Sequence, residues 1–332
     1  MMALKPVTAA WAAAVIVVLS LFGPGVSSAA AQEKERHFAY LTPGLDLPFW
    51  RYLAKGIADE AQKHHATVTN YDSHNDAATQ LKNAQDAIAR KVDGIMISPT
   101  DSSTAPSVLS LAEKANIPVV ISDIGTVSGN YVSFIISDNE KGAYDTGKAL
   151  AAALDEHHWN KGPVGLVTIS LARNNGKART KGFRDAMKDS GGIKEVALDQ
   201  MQRYTADETF KYVQDMLTAH PDLHGIFVQT DTPTLGAVRA IQAAHRENTV
   251  LLAAFDGVPE FIDLIRQGKI VASGMQQPYL MGVRSAEAMF EHLEGKTPKK
   301  EILVPIIVVS QKNLDQVLPT ITRTVFANEL KK

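Results

Sequence analysis

The chain has 332 residues, a formal net charge of −2 at pH 7 and no cysteine. This length favours two domains, because single hydrophobic cores stop growing at about 250–300 residues. The near-neutral charge gives no reason to expect binding to nucleic acid or to an anionic membrane. The absence of cysteine excludes disulfides and a lipid anchor attached to a cysteine.

The first 31 residues have the three-part pattern of a secretory signal peptide. Lys5 supplies the positive start, residues 9–22 are apolar, and small residues follow as far as Ala31. The apolar run is shorter than the ~20 residues that a membrane-spanning helix needs, so a signal peptide is favoured over the alternative of an uncleaved anchor. We predict that residues 1–31 are a signal peptide cleaved near Ala31 and that the protein is periplasmic.

Short apolar runs alternate with amphipathic stretches in the rest of the chain, which indicates a parallel α/β protein. The first set of predicted elements is a strand at 38–41, a helix at 48–64, a strand at 68–71, a helix from 76, a strand at 94–97, a helix at 108–115 and a strand at 118–121. The alternation resumes near residue 138, with strands at 164–169, 196–198, 226–228 and 250–255. These elements predict two Rossmann-like lobes with parallel sheets.

A faint internal repeat supports two similar lobes. Residues 92–101 and residues 223–231 each hold a strand that ends in hydroxyl side chains and an aspartate. The next predicted strand of each half also ends in an aspartate, which is Asp123 in the first half and Asp256 in the second. Ligands of open parallel sheets bind beyond the carboxyl ends of the strands, so both aspartates are candidate ligand residues.

The hydroxyl residues of the repeat, Ser98 and Thr230, are candidates for the same reason. Two further aspartates, Asp101 and Asp231, precede predicted helices. We favour helix capping for these two, because a cap uses the carboxylate to satisfy backbone N–H groups at the helix start.

Phe49 and Trp50 follow the first predicted strand. Pro48 suits the first position of a helix, which puts both aromatic residues on the first helical turn. Neighbours on a helix diverge by about 100°, so we expect one of the two to project toward the ligand cleft. An aromatic face packs well on the C–H surface of a sugar ring. Packing of Phe49 in the core is the alternative.

Several short motifs follow one another in a fixed order between about residues 37 and 310. They are Leu47-Pro48-Phe49-Trp50, Ile97-Ser98-Pro99-Thr100-Asp101-Ser102, Ala115-Asn116-Ile117-Pro118-Val119, Ile136-Ser137-Asp138-Asn139, Arg179-Thr180-Lys181-Gly182-Phe183, Leu217-Thr218-Ala219-His220-Pro221-Asp222, Leu235-Gly236-Ala237 and Phe255-Asp256-Gly257. With this content and order the chain resembles the periplasmic sugar-binding proteins of the ribose/galactose/allose type, which have the periplasmic binding protein-like I fold.

The resemblance implies a cleft between two lobes that three chain crossings join, near residues 137–138, 274–277 and 309–311. The first lobe is then formed by residues 36–137 plus 277–309. The second lobe is formed by residues 138–276 plus 310–332.

The resemblance also implies roles for individual residues. Phe49 and Trp50 stack on the sugar, Tyr204 closes over it from the second lobe, and its hydroxyls are bound by polar side chains. The full predicted ligand-binding set is Phe49, Trp50, Ser98, Asp123, Ser137, Arg179, Tyr204, Thr230, Asp256 and Gln276.

Four positions depart from the ribose-binding pattern. The family often has Asn where this chain has Leu47, Ser98 and Thr230, and it often has Arg where this chain has Ile124. A bidentate guanidinium and three amides supply much of the hydrogen bonding of a pyranose. We therefore expect another monosaccharide, a polyol, or a smaller and less polar molecule.

The leading functional hypothesis is a monomeric receptor that hands its ligand to an ABC-type importer in the inner membrane. One alternative is a periplasmic sensor subunit for a histidine kinase or chemoreceptor. Another is an enzyme that uses Asp123 and Asp256 as an acid/base pair. We expect no cofactor and no metal, since adjacent histidines diverge on a helix and motifs for phosphate binding, serine hydrolysis or zinc binding are absent.

Overall fold

The structure, a computed structural model, describes residues 1–3, 35–159 and 161–329. Apart from its first three residues, the predicted signal peptide lies outside the described residues, as does the predicted cleavage point near Ala31. The chain from residue 35 onward forms one compact unit. Within the described residues, no helix combines the length and the apolar character that a membrane crossing requires.

Strands and helices alternate throughout the compact unit. The first part contains β1 (His37–Thr42), α1 (Pro48–Lys63), β2 (Thr67–Asp72), α2 (Ala77–Ala89), β3 (Gly94–Ile97), α3 (Ala105–Lys114), β4 (Val119–Ser122) and β5 (Ser133–Ile136). The next part contains α4 (Asn139–Glu156), β6 (Val164–Thr168), α5 (Asn174–Asp189), β7 (Glu195–Gln200), α6 (Ala206–Ala219), β8 (Gly225–Val228), α7 (Asp231–Ala243) and β9 (Leu251–Phe255). The last part contains α8 (Glu260–Arg266), β10 (Ala272–Met275), α9 (Pro278–Leu293), β11 (Glu301–Leu303), β12 (Ile307–Ser310) and α10 (Leu314–Thr324).

The strands form two six-stranded sheets, one in each lobe. The first has the order β11-β5-β4-β3-β1-β2 and is parallel throughout. The second has the order β12-β10-β9-β8-β6-β7 and is parallel except for its edge strand β12. Central strands such as β3 and β8 are buried at every position, as expected where helices cover both faces of a parallel sheet. These features confirm the predicted α/β fold with two Rossmann-like lobes.

The chain passes between the sheets three times. Two of these passages are at residues 137–138 and 276–277. The third lies at residues 304–306, between β11 in the first sheet and β12 in the second. The predicted boundary at 309/310 is therefore wrong, because Ile307 already pairs with Met275 of β10. The sequence hides this point, since residues 302–309 are apolar apart from Pro305.

The helix α1 packs against α9 at very short range. Its residues Leu53 and Ile57 are fully buried, as their four-residue spacing predicts. A Cβ at Gly56 would lie 2.1 Å from the Tyr279 carbonyl oxygen, and one at Gly282 would lie 2.1 Å from that of Leu53. The two glycines thus allow the backbones of α1 and α9 to come into direct contact.

Candidate functional site

A pocket of about 330 Å³ lies between the two lobes, beyond the carboxyl ends of the strands. Part of this volume is open to solvent. Both lobes contribute to its wall. The lining residues are Leu47, Phe49, Trp50, Asp123, Ile169, Arg173, Asn175, Arg179, Tyr204, Thr230, Asp256 and Gln276.

Two aspartates at strand ends occupy corresponding positions in the two lobes. Asp123 follows β4 and Asp256 follows β9, and both adopt a left-handed backbone conformation, with φ of 62° and 59°. Aspartate tolerates this region better than most residues. The two carboxylates are almost completely buried, and both line the pocket.

Phe49 and Trp50 form an aromatic wall on the side of the first lobe. Their rings meet edge to face, with centroids 4.8 Å apart and planes at 79°. Both residues line the pocket, whereas the helical spacing alone predicted that one of them would project toward the cleft. The first turn of α1 begins at the pocket, with Pro48 as its first residue, so two neighbouring side chains can reach the same space from a helix end.

Tyr204 forms the facing aromatic wall in the second lobe. Its backbone is left-handed, with φ of 57°. The buried carboxylate of Glu208 holds this loop by accepting hydrogen bonds from the backbone N–H groups of Arg203 and Tyr204, at 2.9 and 3.0 Å. The Tyr204 hydroxyl accepts a hydrogen bond from the backbone N–H of Ser170 at 3.0 Å.

Arg179 is the most constrained side chain of the pocket and is only 2% exposed. Its Nη1 donates to Asp256 Oδ2 at 3.1 Å and to the carbonyl oxygen of Gln229 at 2.7 Å. Its Nε donates to Asn139 Oδ1 at 2.8 Å, and the guanidinium lies 4.1 Å from the centre of the Phe255 ring. The ion pair with Asp256 is thus buried, and both of its members also face the pocket.

Two acceptor oxygens of pocket residues have no hydrogen-bond partner among the described residues. They are Asp123 Oδ1 and Gln276 Oε1. The other half of each group is occupied, since Asn175 Nδ2 donates to Asp123 Oδ2 and Gln276 Nε2 donates to Asp256 Oδ1, both at 3.0 Å. The pocket therefore offers two buried acceptors to a donor that the protein itself does not supply.

Burial shifts the titration of three carboxyl groups at or beside the pocket. It raises the pKa of Asp123 to about 6, although Arg179 acts in the opposite direction. It also raises the pKa of Asp256, again against the effect of Arg179. The pKa of Asp231, at the start of α7, is raised to about 7 by burial and then by the negative charge of Asp256.

Two of the ten predicted residues are not brought to the pocket. The Ser98 hydroxyl contacts the Tyr40 hydroxyl at 3.0 Å instead. The Ser137 hydroxyl faces the sulfur of Met281 at 4.0 Å. The other eight predicted residues all line the pocket.

Sequence reasoning missed Arg173 and Asn175, which lie after β6. Both residues follow a strand end of the second lobe, which is the signal that identified Asp123 and Asp256. Within the described ranges, no group of three or more His, Asp or Glu side chains is arranged to hold a metal ion.

Residues 38–297 match the model of the periplasmic binding protein domain. The chain belongs to the periplasmic binding protein family. This confirms the resemblance inferred from the motifs.

Relatives in this family include two ribose import binding proteins. The protein from Escherichia coli strain K12 is 32% identical over 285 residues, which cover 86% of this chain and 94% of the relative. The protein from Haemophilus influenzae is 31% identical over 291 residues, which cover 88% and 96%. A carbohydrate transporter solute-binding protein of Agrobacterium radiobacter, solved with D-arabinose, superimposes with a TM-score of 0.82 at 22% identity, covering 88% of this chain and 99% of that one. The similarity to this solved structure supports the assignment of the fold.

Proposed function

We propose that this periplasmic binding protein captures a monosaccharide or a polyol in the cleft and delivers it to an ABC-type importer. The observation that carries the proposal is the pair of unpartnered buried acceptors, Asp123 Oδ1 and Gln276 Oε1. A buried acceptor without a donor costs about 1–3 kcal/mol. Neighbouring hydroxyl groups of a sugar are donors that remove this cost at both positions.

The other residues that line the pocket suit the C–H groups and the ring oxygen of a sugar. Phe49, Trp50 and Tyr204 offer aromatic surface to ring C–H groups, while Arg179 and Arg173 offer donors to ring or hydroxyl oxygens. Two lining residues, Leu47 and Ile169, are apolar, so one edge of the ligand faces carbon rather than a hydrogen-bonding group.

The names of the relatives support transport of a small sugar rather than catalysis. The relatives of known function include proteins named for the import of ribose and of D-apiose, and a D-ribose/D-allose-binding protein. We infer the same role here, with the ligand taken up in the periplasm. The two lobes rotate about the three crossings and close on the ligand, so that the importer distinguishes the loaded receptor from the empty one.

A thermal-shift screen tests the proposal. D-Ribose, D-allose, D-apiose, D-arabinose and ribitol are each added to the protein, and the melting temperature is recorded. A ligand at 100 times its Kd stabilises the native state by about 2.7 kcal/mol. We expect at least one of these compounds to raise the melting temperature and to bind one per chain in calorimetric titration.

Two variants place the binding in the cleft. Asp123→Asn removes the charged acceptor and should abolish most of the thermal shift. Asp263→Asn, at an exposed carboxylate of α8, should retain it. A screen in which no sugar and no polyol changes the melting temperature contradicts the proposed function.

A further inference from the structure

Three consecutive residues at the start of α5 reach from the second lobe to the first. Arg173 Nε donates to the Thr100 carbonyl oxygen at 2.9 Å, and its Nη2 donates to Asn75 Oδ1 at 2.6 Å. The next two residues, Asn174 and Asn175, also bridge the cleft. They donate to Ser102 Oγ at 3.1 Å and to Asp123 Oδ2 at 3.0 Å, respectively.

Of these three residues, Arg173 and Asn175 also line the pocket, and Arg173 is the one that carries a charge. The residue is 5% exposed, and the guanidinium lies 4.9 Å from the centre of the Tyr204 ring. Its orientation is fixed by two acceptors on the first lobe and by this ring. In the part of the chain that the structure describes, Nη1 has no hydrogen-bond acceptor, and the guanidinium forms no ion pair.

The geometry of a guanidinium relates these contacts to one another. Its five N–H donors lie in one plane at fixed angles, so fixing Nε and Nη2 also fixes the direction of Nη1. The N–H groups of Nη1 can therefore donate to an oxygen of a bound ligand while Nε and Nη2 keep their acceptors on the first lobe. Such an oxygen would hold the guanidinium in the orientation that reaches Thr100 and Asn75.

We propose that Arg173 is a specificity-determining residue that binds an acceptor oxygen of the ligand through Nη1 while it holds the first lobe through Nε and Nη2. This inference rests on the proposed function and deepens it, since it assigns one side chain to both ligand selection and cleft closure. The ligand must then carry an oxygen at the position that Nη1 addresses. A sugar that lacks this oxygen loses affinity specifically through Arg173.

The test compares Arg173→Met with Asn75→Ala. Asn75 accepts from Nη2 but does not line the pocket, so its variant weakens the bridge alone. Calorimetric titration is carried out with the sugar that binds the wild type and with its monodeoxy analogues. Arg173→Met should weaken binding of the parent sugar about 10- to 100-fold, and Asn75→Ala should weaken it less.

The deoxy analogues show whether Arg173 contacts the ligand or only connects the two lobes. For one deoxy position, the loss of affinity seen in the wild type should disappear in Arg173→Met and persist in Asn75→Ala. Arg173→Lys should not restore it, because a single ammonium cannot serve three acceptors in fixed directions. If Arg173→Met weakens binding of the parent sugar and of every analogue by the same factor, the contact with the ligand is refuted. Arg173 then only connects the two lobes.

A ligand-free measurement keeps this test separate from the proposed function. The chain has no cysteine, so spin labels can be attached at Lys82→Cys in α2 and Lys211→Cys in α6, both exposed and in different lobes. The distance between the two labels can be measured without a ligand. If the wild type binds no sugar, the proposed function is contradicted, but the role of Arg173 in closure can still be tested. We expect Arg173→Met to shift the distance distribution between the labels toward longer distances. An unchanged distribution overturns the role of Arg173 in closure.

Discussion

At the scale of single residues, the pocket has two features. It contains buried charges of opposite sign, and it contains acceptor oxygens without a donor among the described residues. Arg179 and Asp256 form an ion pair, and each keeps a further hydrogen bond to a neighbouring protein group. Both members of the pair also lie in the pocket wall, so a structural ion pair and a contact with a ligand are compatible at this position.

Loss of Arg179 should destabilise the unliganded protein. Arg179→Met leaves Asp256 buried without its cation, which costs about 3–5 kcal/mol in the free energy of unfolding. The matched control is Arg239→Met, which breaks an exposed ion pair with Asp207 and should cost at most about 1 kcal/mol. Urea denaturation followed by circular dichroism measures both. Equal urea midpoints for the two variants would show that the buried pair contributes no more to the free energy of unfolding than the exposed pair does.

Asp231 should make stability depend on pH. Its Oδ2 is buried and has no hydrogen-bond partner in the part of the chain that the structure describes, and its pKa is raised from 3.8 to about 7, mainly by burial. The folded state therefore binds the proton more tightly than the unfolded state, so stability is lost as pH rises from about 4 through about 7. Asp231→Asn removes this loss. Its melting temperature, relative to the wild type, should increase between pH 5 and pH 8.

The exposed residue Asp222 provides the control for this pH series. The melting temperature of Asp222→Asn should equal that of the wild type at every pH. If the difference in melting temperature between Asp231→Asn and the wild type stays constant from pH 5 to pH 8, the raised pKa of Asp231 is contradicted.

The sequence predicted most of the residues of the pocket because strand ends of parallel sheets converge at one edge. It did not predict the direction of every side chain there. Ser98 directly follows β3, but its hydroxyl points to Tyr40, since successive side chains of a strand alternate between faces and the pattern does not fix the last one. Arg173 escaped prediction for another reason, namely that its partners Thr100 and Asn75 belong to the other lobe.

At the scale of secondary-structure elements, the position of Arg179 depends on how closely α5 packs on α4. Gly182 lies three residues beyond Arg179, in the same helix. A Cβ at this glycine would lie 2.0 Å from the carbonyl oxygen of Glu140 in α4. The two helices therefore touch through their backbones, and this contact sets the depth at which the guanidinium of Arg179 reaches the pocket.

Gly182→Ala should destabilise the protein, although alanine is normally the better helix former. Ala for Gly in a free helix stabilises by up to about 1 kcal/mol. Here the added methyl group has to displace α4, and overpacking of this kind costs about 1–3 kcal/mol. Lys177→Ala, on the exposed face of the same helix, is the control and should change the denaturation midpoint little. An increase in the midpoint of Gly182→Ala would contradict the close contact.

The predicted elements agree best with the structure where they are long and periodic. The helix α1 and strands such as β3 and β9 lie close to their predicted positions. The short strands β5, β10, β11 and β12 were not predicted. Each has only three or four residues, so the pattern within each is too short to identify, and β11 and β12 are edge strands whose pairing depends on distant parts of the chain.

At the scale of the whole molecule, the cleft is closed in this structure, with hydrogen bonds from the second lobe to the first at Arg173, Asn174 and Asn175. Asp123 is buried in this structure, and its Oδ1 has no donor among the described residues. We propose that a ligand supplies this donor. A ligand that supplies the missing donors binds the closed form better than the open one, and it shifts the population toward closure in proportion to that difference in affinity.

Small-angle X-ray scattering tests this account most directly. The protein is measured alone and then at saturation with the sugar that gives the largest thermal shift, at a concentration where its scattering mass is that of one chain. We predict a smaller radius of gyration for the liganded protein, because the lobes close about the three crossings. A radius of gyration that is the same with and without saturating ligand would contradict binding coupled to closure.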